Sequence, residues 1–160
     1  MTIEIPPRGT KGSWTPFGGP VMRLFAPIAD MMVARYRRNA GDQAPLMMGF
    51  PTVLLTTVGA RSGKERTHIL GGFADGDGWL VVGSKAGAAT HPAWFLNLAK
   101  HPDKVWLEVG KRKFKVRPEL LKGAEREAAM SKVVDLAPRY GQYQHKTDRE
   151  IPVVRLTPET

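Results

Sequence analysis

Between Pro51 and Leu70 the chain reads PTVLLTTVGARSGKERTHIL. Three hydroxyls (Thr56, Thr57, Ser62) and three cations (Arg61, Lys64, Arg66) crowd around Gly59 and Gly63. Backbone N–H groups, hydroxyls and cations in one short turn suit a bound anion, phosphate above all. The glycines lie between two apolar runs and do not open a helix. The stretch is therefore neither a Walker A loop nor a dinucleotide fingerprint. The same residues also make an ordinary solvated hairpin turn, and taken alone they leave both readings open.

A second group stands at Gly83-Ser84-Lys85-Ala86-Gly87. A hydroxyl, an ammonium and small residues at a strand end could admit a ligand against the backbone, or form a loop with a solvated lysine. A third is Pro92-Ala93-Trp94-Phe95-Leu96-Asn97-Leu98. Phe95 and Leu98 read as core, Trp94 as core or ligand contact, and Asn97 as a side chain able to bridge to loop backbone. The fourth is Pro138-Arg139-Tyr140-Gly141-Gln142-Tyr143-Gln144. If it is helical, Tyr140 and Tyr143 share a face and could stack on a ring or supply a phenolic proton. The adjacent Asp148-Arg149 reads as a structural ion pair. His68, His91, His101 and His145 have no metal-ligand spacing, so no metal site is expected. Asp75 and Asp77 read as turn formers, and no Ser/His/Asp set can be assembled.

These groups need a scaffold. Apolar residues recur at helical spacing from Pro20 to Arg38 (Val21, Leu24, Phe25, Ile28, Met32, Tyr36), with Pro27 expected to kink or split the helix. Thr52–Val58 and Arg66–Phe73 read as a hairpin, Trp79–Ser84 as a buried strand, and Pro92–Lys100 as a helix capped by Thr90 or His91. Lys104–Val109 and Arg112–Arg117 read as a second hairpin, Ala124–Leu136 as a helix, and Ile151–Leu156 as a last strand. The neighbours are mostly antiparallel, which argues for a small β-barrel with helices outside it, an α+β fold. Residues 1–19, rich in Gly and Pro, read as a flexible arm, and 20–160 as one domain.

The chain has 160 residues, no cysteine and a net charge of +9 from 24 Lys+Arg against 15 Asp+Glu. Disulfides, thiolate metal sites and cysteine nucleophiles are excluded. The charge favours an acidic partner: nucleic acid, anionic lipid or a polyanionic small molecule. Trp79 and Trp106 fall in strands that read as buried, which argues against stacking on single-stranded nucleic acid. No signal-peptide core and no membrane-length run is present. The expectation is a cytoplasmic protein, with peripheral membrane contact through the arginine-bearing Pro20–Arg38 helix left as an alternative.

Four blocks in series, LLTTVGARSGKERTHIL, GWLVVGSKAG, HPAWFLNLAKHP and PRYGQYQHKTDREIPVVRL, resemble the deazaflavin-dependent nitroreductase family. The likeness runs from Pro45 to Leu156. It implies a split β-barrel of the flavin-binding type and coenzyme F420, an 8-hydroxy-5-deazaflavin with a polyanionic tail, with FMN as a weaker alternative. It further implies that Thr56, Arg61, Ser62, Lys64, Arg66 and Lys85 contact phosphate and tail. Ser84, Ala86 and Gly87 would lie against the ring, with Pro92, Ala93 and Trp94 closing over it. Tyr140 and Tyr143 match the family's substrate-side pair, with Tyr143 or Tyr140 as proton donor. The implied activity is hydride transfer to a small-molecule acceptor: a quinone, an α,β-unsaturated carbonyl or a nitro compound. The alternative is a barrel that binds deazaflavin, flavin or haem without turnover. Split barrels of this kind are often homodimers. The family's Asn-Pro-Leu-aromatic segment is replaced by His68-Ile69-Leu70-Gly71, and the pair Gly71-Gly72 is expected to open the substrate pocket.

Overall fold

A computed structural model describes residues 2–14 and 22–159, with side chains from Leu24 onward in the second segment. The expected helical positions Pro20 and Val21, and arm residues 15–19, lie outside the described residues.

Helix α1 (Met22–Arg38) is followed by strands β1 (Leu46–Met47), β2 (Phe50–Val58), β3 (Glu65–Gly71), β4 (Phe73–Asp75) and β5 (Gly78–Val82). Helix α2 (Ala93–Lys100), strands β6 (Trp106–Val109) and β7 (Arg112–Leu120), helices α3 (Gly123–Leu136) and α4 (Arg139–Lys146), and strand β8 (Val153–Pro158) complete the chain. The strands form one curled antiparallel sheet in the order β1-β2-β6-β7-β8-β5-β4, with β3 paired to the other side of β2. This is an α+β half-barrel with helices around it, the class of fold that the mostly antiparallel neighbours predicted.

Strand periodicity of two divides the apolar residues between separate layers. Val81, Val154 and Leu156 join Val53, Leu55, Trp94, Phe95 and Leu98, so α2 plugs one side of the sheet. Their neighbours Leu80, Val82 and Val153 point the other way, onto Phe73 of β4 and onto Met130, Val133 and Tyr140 of α3 and α4. Helix α1 lies over Leu54 and Ile69 through Val33 and Tyr36. Tyr36 donates its hydroxyl to Thr52 O (2.9 Å) and accepts from Gly110 N–H (3.1 Å), and Arg37 grips Glu108 with two bonds. The other end of α1 is uncovered, with Leu24 77% exposed.

Three local expectations are corrected. Pro27 sits inside a single continuous helix, so the chain is not split into two helices there. The N-cap of α2 is Pro92, with no side-chain bond from Thr90 or His91. Trp79 and Trp106 are half-buried, not fully enclosed.

Residues 3–13, expected as part of a flexible arm, run along the body as a strap. Ile3 N–H donates to Ala99 O, Gly9 N–H to Ala89 O and Ser13 N–H to Gly87 O. Asp148 accepts from the backbone N–H of Thr10 (2.8 Å) and Lys11 (3.2 Å) and from the Thr10 hydroxyl. Gly12 is required where the strap meets the body, because a Cβ there would collide with Ala89 N and Gly87 O.

Candidate functional site

Two turns bracket α2. The first joins β2 to β3 and carries the cation and hydroxyl cluster around Gly59 and Gly63. Gly59 N–H donates to Lys64 O and Gly63 N–H to Gly59 O, while Ser62 Oγ accepts from Lys64 N–H (3.2 Å). Arg61, Ser62, Lys64 and Arg66 all stand exposed around it. Asn97, buried on α2, accepts from Ala60 N–H (3.0 Å) and donates to Thr57 Oγ1 (3.3 Å). The helix thus holds the turn by its backbone, the bridge that Asn97 was expected to make.

Strand register sorts the hydroxyls. Thr57 pairs with Arg66 and Thr56 with Thr67. Residues paired across antiparallel strands share a face, so Thr56 and Arg66 lie on opposite faces of the hairpin. Thr56 is buried on the α1 side, and its hydroxyl shares a 2.8 Å hydrogen bond with that of Thr67. The structure does not bring Thr56 to the cations.

The second turn runs from Gly83 to Ala88. Ser84 is right-handed (φ −73°, ψ −37°), and Lys85 (φ 43°), Ala86 (φ 54°) and Gly87 (φ 82°) are all left-handed. Left-handed backbone at two non-glycine residues in succession is strained, a condition that persists only where the surroundings enforce it. The right-then-left step at Ser84-Lys85 turns consecutive N–H groups to one side, an anion-binding geometry. Lys85 Nζ donates to Thr90 Oγ1 (3.0 Å). Burial, and then the nearby Arg149 charge, hold the Lys85 pKa below the ordinary lysine value.

The turn meets α4 directly. A Cβ at Gly87 would stand 2.8 Å from Lys146 Cβ and 2.9 Å from Tyr143 O. Tyr140 is buried among Phe50, Phe73 and Tyr143, edge-on to each. Tyr143 is half-buried, with the Lys146 ammonium 5.8 Å from its ring centre. Burial pushes the Tyr140 hydroxyl up to about 12. Pro92 and Trp94 are buried at the start of α2, and Ala93 is exposed. From Pro92 to Asn97 the helix advances about 8 Å, so the two turns sit near one another along a single rigid element.

The chain matches the family described as F420H(2)-dependent quinone reductase over residues 29–158. It is 39% identical over 110 residues to an F420H(2)-dependent quinone reductase of Mycobacterium tuberculosis, covering 67% of this chain and 73% of that protein. A solved F420-H2 dependent reductase shares 37% identity at a TM-score of 0.61, covering 66% of this chain and 93% of the other. A second solved structure, described as a domain-swapped dimer, shares 31% identity at a TM-score of 0.64, covering 81% and 96%.

The chain belongs to the F420H(2)-dependent quinone reductase family. It is an oxidoreductase of split-barrel fold whose cofactor is coenzyme F420. The residues of this quinone-reductase-family chain fit that cofactor. Exposed cations at the first turn suit a polyanionic tail, and the N–H array and close backbone approach at Ser84–Gly87 suit a flat, electron-rich ring. No group of metal ligands occurs among the described residues, and none of their helices is long and apolar enough to cross a membrane.

Two expectations near the site are overturned. Gly71 and Gly72 do not open a pocket. A Cβ at Gly71 would collide with the Tyr140 hydroxyl and stand 3.1 Å from the Phe50 ring, and one at Gly72 would stand 2.6 Å from the Val53 side chain. The glycines admit neighbours that fill the space. Asp148 and Arg149 do not pair either. Asp148 turns outward to the strap, while Arg149 turns inward beneath the second turn. Sequence reasoning missed Arg149 as a residue of this neighbourhood. Its charge gave no signal, because adjacent opposite charges usually mark a surface pair. His68 is half-buried, and its Nδ1 is enclosed with no hydrogen-bond partner among the described residues. Burial, and then the charge of Arg66, hold its pKa below the ordinary histidine value.

Proposed function

We propose that this protein reduces a quinone, and by the same chemistry α,β-unsaturated carbonyls or activated nitro compounds, at the junction of the Ser84–Gly87 turn with α4. One observation carries the reading: the strained turn suited to the ring packs, through Gly87, on the backbone of Tyr143. Cofactor and acceptor would then share one wall. Bound reduced coenzyme F420 supplies a hydride.

Arg61, Lys64 and Arg66 take the phosphate and tail, with Ser62 closing the turn that presents them. Lys85 adds a partly desolvated cation at the other end. Thr56, its hydroxyl held by Thr67, braces the hairpin from behind. Ser84, Ala86 and Gly87 lie against the ring through backbone, and Pro92, Ala93 and Trp94 cover it and exclude water. One hydride and one proton turn a quinone into a hydroquinone, so a proton donor beside the acceptor oxygen lowers the barrier. Tyr143 is the better donor. Tyr140 is buried and its proton is held up to about 12, which suits a hydrogen bond to the acceptor more than release of a proton. The exposed apolar residues of α1 and the domain-swapped relative support association of two copies.

The test is oxidation of reduced F420 by the purified protein with a panel of benzoquinones, naphthoquinones, enones and nitroaromatics. Turnover with quinones, and an at least tenfold loss of kcat in Tyr143→Phe with KM little changed, is the expected result. Tight binding of FMN or haem with no binding of F420 would overturn it. Binding of F420 with no turnover of any acceptor would instead favour a carrier.

A further inference from the structure

Arg149 is 2% exposed, and no carboxylate lies within ion-pair distance of it among the described residues. Its Nε donates to Ala88 O (2.7 Å), and Nη2 donates to Gly83 O (3.1 Å) and Ser84 O (2.8 Å). Three of the carbonyls in the second turn therefore converge on one guanidinium. Nη1 lies 3.1 Å from His91 Nδ1. A guanidinium has only donors, so Nδ1 must accept, and the ring proton then sits on Nε2. Nε2 in turn donates to Pro6 O of the strap at 2.7 Å.

A buried cation without a counter-charge is costly to keep out of water, and its hydrogen bonds must offset that cost. Backbone carbonyls meet its donors but do not cancel its charge, and burial lowers its pKa to about 10, so it stays protonated at neutral pH. An apolar side chain in its place would leave the carbonyls of Gly83, Ser84 and Ala88 without this donor and release the left-handed residues between them. The carbonyls of Gly83, Ser84 and Ala88 are engaged by the guanidinium, while the right-then-left step at Ser84-Lys85 turns consecutive N–H groups to one common side.

We propose that Arg149 is a positioning residue of the cofactor site: it holds the Gly83–Ala88 turn in its left-handed shape and, across that turn, presents a buried unneutralised positive charge that favours the anionic form of the bound deazaflavin. The inference rests on the reading that the ring lies against this turn. The other titratable groups on the elements packed here are Lys85 of the turn, His91 before α2, Arg139, Tyr140, Tyr143, His145 and Lys146 of α4, Glu4, Arg8 and Lys11 of the strap, and Asp148 and Glu150 on either side of Arg149. Glu4 and Glu150 lie within ion-pair distance of Lys122 and Arg126, not of Arg149. Asp148 is occupied by Thr10 and Lys11, and His91 is held neutral by accepting from Arg149. None supplies a facing negative charge.

The readout is the pH titration of the 8-hydroxyl of oxidised F420, followed by its visible absorption free, bound to wild-type protein, and bound to Arg149→Met and Lys146→Met. Wild-type protein should lower the apparent pKa of the bound chromophore. Arg149→Met should return it upward by about one pH unit, while Lys146→Met, at the solvent face of the same turn, should move it far less. A chromophore pKa equal in wild type and Arg149→Met, or moved as far by Lys146→Met, overturns the inference and leaves the cofactor site standing. Wild-type protein that leaves F420 absorption and fluorescence unchanged overturns both. If Arg149→Met does not fold, Arg149→Lys decides through hydrogen exchange. Faster exchange confined to the amides of residues 84–88, with F420 affinity weakened about tenfold, supports the positioning role. Exchange and affinity equal to wild type refute it.

Discussion

The two turns that flank α2 carry cations in opposite ways. Around Gly59–Lys64 the charges are on the outside, and the backbone is pinned from within by one neutral amide, Asn97. Around Gly83–Ala88 the backbone is pinned by a buried charge, Arg149, and strain is concentrated in two non-glycine left-handed residues. Exposed cations attract a polyanion from a distance but hold no geometry, and added salt screens them. A buried cation is hardly screened and fixes the atoms around it. On the function proposed above, the first turn would collect a flexible tail and the second would place a rigid ring.

The sharpest break of this contrast is at Gly87. Its φ of 82° is left-handed, and a Cβ there would press on Lys146 and on the backbone oxygen of Tyr143. Gly87→Ala should destabilise the fold by about 1–3 kcal/mol and reduce F420 binding below detection, because backbone cannot move aside as a side chain can. Thermal unfolding and fluorescence titration measure the two effects. A variant that binds F420 normally would show that the second turn does not set the ring's position.

The elements that carry the two turns were largely legible in the sequence, though not for equal reasons. The exposed turn could be read because its chemistry lies within eight consecutive residues and its flanking strands alternate cleanly. Asn97 could be read as a bridge because its helix was clear. The face that Thr56 takes was not legible: adjacent strand residues face opposite ways, and only the pairing with Thr67 shows which side each threonine occupies. Gly71 and Gly72 misled because absence of a side chain signals space only until a distant element fills it. Tyr140 comes from almost seventy residues further along. Arg149 was illegible for the same reason. Three of its four partners are backbone carbonyls sixty or more residues away, which have no residue type to betray them.

A second prediction sharpens the contrast through salt. Replacing Arg61 and Lys64 together with Ala should weaken F420 binding by about three- to tenfold at low ionic strength, since exposed ion pairs are worth little individually. The gap to wild type should close as salt rises toward about 1 M, where the screening length falls to about 3 Å. The effect of Arg149→Met on the bound chromophore should persist there. Isothermal titration across a salt series separates the two, and equal salt sensitivity would erase the distinction between the turns.

The smallest effect expected is on stability against pH, and it also belongs to the buried side. His91 has its pKa held below the ordinary histidine value, first by burial and then by the facing Arg149, while its bonds to Pro6 and Pro7 oppose this. His68 shifts the same way. A histidine kept neutral in the fold binds fewer protons than in the unfolded chain, so its contribution is fully present above the unfolded pKa, about 6.5. It is lost as pH falls through the folded value. Asp148 adds a later loss: hydrogen bonds from Thr10 and Lys11 hold its carboxyl at about 2, so its share is present above the ordinary carboxylate range and disappears on further acidification. Chemical denaturation between about pH 8 and pH 5 should show wild-type stability falling as the histidines are forced to charge, with His91→Gln losing part of that slope. Protonation of His91 removes the acceptor that Arg149 Nη1 uses, so the strap and the second turn should loosen together. Faster amide exchange at Gly9 and Ser13, in step with Gly87 and Ala88, would show that one buried cation governs both. Independent exchange of the strap would confine the role of Arg149 to the turn.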